Sequence, residues 1–210
     1  MRITVFGAAG AAGRRIAAEA LSRGHEVTGV VRSEERFSAL PEGVHARVGD
    51  ALSPVSATEL LHTQDLAVAA TRPPYGKEDE LVLAAEVLLG AAAATGVRLL
   101  LVGGAGTLGV PSGGTVAEAP DFPAEWAPIA RACALQLEAC RASSGADWTC
   151  LSPAALLEPG ERTGHFRLGG DELVVDGDGV SALSYEDLAV ALLDEAERPR
   201  HRGRRFTAGY

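Results

Sequence analysis

Gly7-Ala8-Ala9-Gly10-Ala11-Ala12-Gly13 joins a β-branched apolar run, Arg2 to Phe6, to an alanine-rich run in which Ile16, Ala17, Ala20 and Leu21 recur at helical spacing. The order predicts a strand, a glycine turn and a helix. A helix start leaves backbone N–H groups unpaired and carries the positive end of the helix dipole, so an anion is stabilised there without a charged side chain. Gly7 permits the tight turn off the strand, Gly10 lets a pyrophosphate approach the backbone, and Gly13 lets the helix pack close to the sheet. Ala8, Ala9, Ala11 and Ala12 complete the cradle. The helix runs to about Arg23 and Gly24 ends it; a second strand, Glu26 to Val31, then closes a βαβ unit, the context in which three glycines at this spacing bind a dinucleotide.

The tip of the second strand faces the adenosine ribose in such a unit. An acidic residue there accepts from the 2′-hydroxyl of NAD, whereas a basic one pairs with the 2′-phosphate of NADP. The tip is Val31-Arg32-Ser33. Arg32 presents a planar donor fork to phosphate, Ser33 adds a hydroxyl, and Arg14, directly after the third glycine, either supplies a second charge or is an ordinary solvated residue. NADP(H) is the cofactor this pattern favours.

Strands and helices continue to alternate. A short helix near Ser33 to Leu40 leads to a strand at Val44 to Val48, and Gly49-Asp50-Ala51 follows at its C-terminal end. Ligands of open α/β sheets bind beyond those ends, so Asp50, with Ala51 beside it, either accepts from the adenine amino group or caps the helix that starts at Ser53-Pro54. The fourth strand, Asp65 to Ala70, is continuously apolar, as a strand covered on both faces must be. It ends in Ala70-Thr71-Arg72, cofactor-contact candidates, within a loop stiffened by Pro73 and Pro74 that carries Tyr75. A helix from about Lys77 to Thr95, closed by Gly96, precedes strand five, Val97 to Val102; Gly103 and Gly104 after it allow a ligand close to the backbone.

Residues 108–125 are rich in Gly, Pro, Ser and acid without clear periodicity, which predicts a lid or pocket wall. A helix from Trp126 to Ser144 carries Ile129, Cys133, Gln136 or Leu137, and Cys140 on one stripe, and a sixth strand, Asp147 to Ser152, runs into Pro153. Alternation on either side of Gly169-Gly170-Asp171 predicts a β-hairpin within a second wall segment, 154–184. A capped helix from Ser184 to about Arg198, a solvated basic turn at His201 to Arg205 and a closing strand at Arg205 to Ala208 finish the chain. The expected architecture is a single α/β domain over 1–210, a doubly wound parallel sheet with a small C-terminal hairpin and helix extension.

Composition narrows the function classes. The 28 acidic against 19 basic groups give a net charge of −9, which argues against a general nucleic-acid binder and for a small-molecule ligand. Cys133, Cys140 and Cys150 form no C-x-x-C pair, so neither a disulfide framework nor a metal site is indicated, and reduced core thiols in a cytoplasmic protein are expected. The chain enters its first strand without a charged leader, and its longest apolar stretch, Leu81 to Ala94, is interrupted by Glu86, so neither export nor membrane association is expected.

Gly7–Leu21 (GAAGAAGRRIAAEAL), the strand tip VVRS, Gly49-Asp50, LLLVGGAGTL after strand five, DWTCLSPAALLEPGERTG and SYEDLAVALLDE together resemble the NAD(P)H-binding atypical short-chain dehydrogenase/reductases. Within them the likeness is to the group labelled NADH-flavin reductases, related to biliverdin reductase B and to NmrA-like proteins. The resemblance implies a Rossmann fold over nearly the whole chain and a bound nicotinamide cofactor. One departure bears on chemistry: the Tyr-x-x-x-Lys pair that ordinary short-chain dehydrogenases carry after strand five is missing, and no tyrosine lies between Tyr75 and Tyr185. Reduction of an isolated carbonyl leaves a basic oxygen that needs a positioned acid, whereas a flavin, quinone or similar conjugated acceptor spreads the charge over its ring and takes its proton from solvent. The implied activity is hydride transfer from NADPH to such an acceptor, with Gly103, Gly104 and Pro153 shaping the nicotinamide pocket. Tyr75, Thr107 and Trp126 are the candidate acceptor-site residues, and Tyr75 and Thr107 the candidate catalytic ones. An NADP-binding sensor of the NmrA-like kind, or an epimerase or dehydratase, is the alternative.

Overall fold

The computed structural model describes residues 1–210. Ten strands and five α-helices form in the order β1 (Arg2–Phe6), α1 (Ala11–Ser22), β2 (Glu26–Val31), β3 (His45–Val48), α2 (Pro54–Leu61), β4 (Leu66–Ala69), α3 (Asp79–Thr95), β5 (Arg98–Val102), α4 (Ala127–Ala142), β6 (Trp148–Pro153), β7 (Leu156–Glu158), β8 (Arg167–Gly169), β9 (Ala182–Ser184), α5 (Tyr185–Glu197) and β10 (Arg204–Gly209). Eight strands make one sheet in the order β3-β2-β1-β4-β5-β6-β10-β8, parallel throughout except at the edge, where β8 runs antiparallel to β10. This is the doubly wound Rossmann-like sheet, with the order reversing between β1 and β4, where ligand crevices open in such folds.

Period-two alternation assigns the strand side chains to two cores. Ile3, Val5, Val68, Leu100 and Phe206 face α1 and α5, and Phe6, Ala67, Leu99, Leu101 and Cys150 face α2, α3 and α4. The apolar run that ends in Ala94 lies within α3, and no helix is long and apolar enough to cross a membrane.

Three local expectations are corrected. Gly169-Gly170-Asp171 does not turn a hairpin: β8 pairs with β10 instead, and the chain beyond it bonds Gly109 through Leu173 N–H. A lone hairpin gains little, whereas the open edge of β10 offers a full ladder. The basic turn His201 to Arg205 is solvated only in its middle, where Arg202, Gly203 and Arg204 are exposed, and not at its two ends. His201 stacks on Phe206 at 4.6 Å and bonds Glu195, and the Arg205 side chain is 5 % exposed. The helix after β3 is capped by the Ser53 hydroxyl, which accepts from Ser56 N–H at 3.3 Å, and Asp50 is not the cap.

Asp187, fully buried at the start of α5, accepts from Gly164 N–H at 2.8 Å and from the Tyr210 hydroxyl at 2.9 Å, while Arg162 grips Glu19 of α1 at 2.7 and 2.8 Å. These bonds draw residues 160–165 onto the α1 and α5 side. Of the expected wall segment 154–184, only 154–158 faces the cavity described next.

Candidate functional site

A cavity of about 1120 Å³ runs along the C-terminal ends of β1, β2, β4, β5 and β6. Its floor is the glycine turn. Gly7 holds φ +80°, and a Cβ on it would lie 2.5 Å from the carbonyl oxygen of Ala70; a Cβ on Gly13 would lie 2.1 Å from the carbonyl oxygen of Gly7. The turn is therefore folded against itself and against the end of β4, and neither position admits a side chain. Gly10 stands at the N-cap of α1 with extended backbone and no side-chain cap, which leaves the first-turn amides of α1 available to an anion. Gly7, Ala9, Gly10, Ala11 and Ala12 line the cavity, while Ala8 and Gly13 are buried behind them as packing.

The adenosine end, in the sense the fold gives it, is bounded by Arg32, Arg36, Asp50, Ala51 and Glu80. Arg32 follows β2 directly, is 62 % exposed, and donates to Glu80 Oε2 at 3.3 Å. Arg36, from the short 3₁₀ stretch Glu34–Ala39, also lines the cavity and has no ion-pair partner. Sequence reasoning missed it because it lies beyond the strand tip, and only the 3₁₀ turn returns it to the same wall. Ser33 and Arg14 do not line the cavity. Asp50 Oδ1 accepts from Leu52 N–H at 2.9 Å, which fixes the carboxylate at the cavity edge.

The other half is apolar and aromatic. Trp126, Ile129, Ala130 and Cys133 project into it at helical spacing from α4 and the turn before it, and Phe122 meets Trp126 edge-on with centroids 6.5 Å apart. Ala70, Thr71, Arg72, Pro73, Gly103, Gly104, Pro153 and Leu156 close the sides. A Cβ on Gly104 would lie 2.9 Å from Cys133 Sγ, so this thiol packs beneath the turn after β5. Burial pushes the Cys133 thiol up to about 11, with the positive field of Arg72 opposing weakly. Cys133 is therefore a neutral wall, and Cys140 and Cys150 are buried core residues, all three as free thiols. Tyr185, under the guanidinium of Arg15 at 5.3 Å, lines the cavity as well; in the sequence it reads only as part of a capped helix start, and the packing of α5 against α1 brings it to the cavity.

The two candidate catalytic residues do not reach the cavity. Tyr75 is 83 % exposed, because the rigid Pro73-Pro74 pair carries the following turn outward. Thr107 is turned to the opposite side by Arg205, whose Nη1 donates to the Thr107 hydroxyl at 2.7 Å and to its carbonyl at 3.1 Å. Arg205 thus acts as a strut between β10 and the start of the 108–125 segment, of which Val116, Ala119, Asp121, Phe122 and Pro123 line the cavity. A Tyr75→Phe variant is accordingly expected to keep kcat and KM within about twofold, well inside the effect of removing a positioned acid; steady-state kinetics checks this.

Comparison with known proteins agrees with this geometry. A profile of the NAD(P)H-binding family matches residues 7–199. The uncharacterised protein YwnB of Bacillus subtilis is 37 % identical over 99 % of this chain and 97 % of its own length. A solved structure from Streptococcus pneumoniae, provisionally assigned as an NADH-flavin reductase, is 33 % identical with a TM-score of 0.88 over 100 % of this chain and 99 % of that one. Another, from Bacteroides thetaiotaomicron and provisionally assigned as an epimerase, is 36 % identical with a TM-score of 0.90 over 100 % and 96 %. The glycine turn whose positions exclude side chains, the uncapped α1 start and the crevice at the strand-order reversal are what a nicotinamide dinucleotide requires, and the chain belongs to the NAD(P)H-binding family, among the atypical short-chain dehydrogenase/reductases.

Proposed function

We propose that the protein is an NADPH-dependent reductase of a planar conjugated acceptor, a flavin or a quinone. The observation that carries this is the division of one cavity into a glycine-turn and arginine end and an aromatic end made by Phe122 and Trp126. The bound cofactor supplies the hydride. The chain's own residues position the two partners: the α1 amides hold the pyrophosphate, Arg32 and Arg36 hold the 2′-phosphate, and Asp50 with Ala51 meets the adenine edge. Ala70, Thr71 and Arg72 line the middle of the cofactor path, and Gly103, Gly104 and Pro153 keep the backbone close to the nicotinamide half. Trp126 gives the acceptor ring a flat apolar face, and Phe122, packed edge-on against it, holds that face in place.

The single lysine of the chain, Lys77, is ion-paired to Glu80 at 3.4 Å and stands in no Tyr-x-x-x-Lys pair, which disfavours reduction of isolated carbonyls. A conjugated acceptor needs no such pair. The likeness to a chain assigned as an epimerase favours one other reading, in which the cofactor is restored within each turnover. The deciding assay mixes the protein with NADPH and, in turn, FMN, riboflavin and menadione, and follows the nicotinamide absorbance. Oxidation with at least one acceptor is expected. Tight NADP binding with no turnover on any of them overturns the reductase reading in favour of an epimerase or a redox sensor.

Trp126 offers a sharper check. Trp126→Ala removes the exposed face against which an acceptor ring stacks, worth about 1 to 1.5 kcal/mol, and is expected to raise acceptor KM roughly tenfold. The NADPH dissociation constant, measured by fluorescence titration, stays unchanged because the cofactor end is untouched.

A further inference from the structure

Glu80 lines the cavity from a direction that the strand-tip logic does not anticipate. It lies in the first turn of α3, with its side chain 18 % exposed, Oε2 accepting from Arg32 Nη2 at 3.3 Å and Oε1 paired to Lys77 Nζ at 3.4 Å. Arg32 leaves the end of β2, whereas α3 follows β4, so the pair joins elements from either side of β1 at the cavity. Arg32 has no other hydrogen-bond or ion-pair partner.

This arrangement places a carboxylate within hydrogen-bond reach of the guanidinium that reads the ribose 2′-position. Any 2′-phosphate held by Arg32 meets a competitor for the same donors and a like charge beside it. A free 2′-hydroxyl meets the opposite situation, since a carboxylate is the acceptor such a hydroxyl uses. Asp50, the other acid at this end, makes no contact with Arg32, which leaves Glu80 as the carboxylate adjacent to it.

We propose that Glu80 sets cofactor choice from the α3 wall: it accepts the 2′-hydroxyl of NADH and opposes the 2′-phosphate of NADPH, so that the site takes both cofactors. Arg32 and Arg36 serve NADPH, and Glu80 serves NADH. The inference rests on the assignment of Arg32 to the 2′-phosphate made under the proposed function, and the two fail separately. The test is equilibrium binding of NADPH and of NADH to the ligand-free protein, by fluorescence titration, for wild type, Glu80→Gln and Arg32→Gln. Exchanging a charged acceptor for a neutral one is expected to tighten NADPH about fivefold and weaken NADH about fivefold in Glu80→Gln. Arg32→Gln is expected to weaken NADPH by tenfold or more without weakening NADH. Thermal unfolding keeps Glu80→Gln interpretable, because a partly exposed pair of this kind contributes little to stability. If Arg32→Gln does not weaken NADPH, the arginine assignment falls and the role of Glu80 falls with it. If Arg32→Gln weakens NADPH but Glu80→Gln leaves both constants unchanged, or moves both the same way, the Glu80 proposal alone is overturned.

Discussion

A double variant, Arg32→Gln with Arg36→Gln, is expected to bind NADPH at least about 100-fold more weakly than wild type and NADH with undiminished affinity. Each guanidinium removed deletes a charge-assisted hydrogen bond, worth about 1.5 to 3 kcal/mol, from a group that NADH lacks. The two arginines approach the cavity from consecutive stretches of backbone, the tip of β2 and the 3₁₀ turn after it. Neither is buried, and the only ion pair between them is the one from Arg32 to Glu80, so their loss has little structural consequence. The Arg36→Gln single variant is the informative intermediate: a loss for NADPH alone supports two-point recognition of the phosphate, and no loss leaves Arg32 as its sole partner. Equal weakening of both cofactors in the double variant removes the 2′-phosphate from the account.

The largest stability effect is expected at Glu195, far from the cavity. Its side chain is 3 % exposed and its carboxylate accepts from Arg98 Nη2 at 2.6 Å, His201 Nδ1 at 2.8 Å, His201 N–H at 3.0 Å and Arg200 N–H at 3.1 Å. Arg98, 7 % exposed, in turn donates to Thr149 at 2.8 Å. Glu195→Ala takes from this buried guanidinium its 2.6 Å counter-ion and leaves it only Asp147, at 3.8 Å, and removal of one partner from a buried pair costs about 3 to 5 kcal/mol. For a domain of this size the midpoint should drop by about 6 to 20 °C in a thermal melt. A drop under 2 °C, small by that scale, would show that the cluster is solvated in solution.

The same carboxylate makes the fold acid-sensitive. Burial pushes Glu195 up, but the His201, Arg200 and Arg98 donors outweigh it and hold the group below its ordinary value of 4.5. Arg162 holds Glu19 low in the same way, against the opposing effect of burial. A carboxylate depressed in the folded state contributes stability that is present above the unfolded value and is lost as pH falls through the folded one. Stability is therefore expected to be level near neutrality and to decline as pH drops below about 4.5, more shallowly in Glu195→Gln; denaturant melts across that range check it.

Periodicity and punctuation within the chain specify most of the architecture. The glycine turn, the capping Ser184, the α3 stop at Gly96 and the continuously apolar β4 are local signals, because backbone sterics and hydrogen-bond satisfaction within a few residues decide them. Arg32 was legible for the same reason, since its position follows from the geometry of one βαβ unit. Failures began where a side chain's role depended on residues distant in sequence. Thr107 looked like a pocket hydroxyl until Arg205, 98 positions later, took it. The basic segment His201 to Arg205 looked solvated throughout until Glu195 and Phe206 enclosed His201 and Asp171 took Arg205. The predicted hairpin at Gly169 gave way to the free edge of β10.

By itself, then, the sequence determined a doubly wound sheet with a dinucleotide cradle and a basic strand tip, since each of these arises from short-range backbone chemistry. Only the tertiary structure decided which side chains share the cavity. It removed Tyr75 and Thr107, and it brought in Arg36, Tyr185, Phe122 and Glu80. Those four converge because strand order and helix packing set their positions, and neither quantity is encoded within any one stretch of chain.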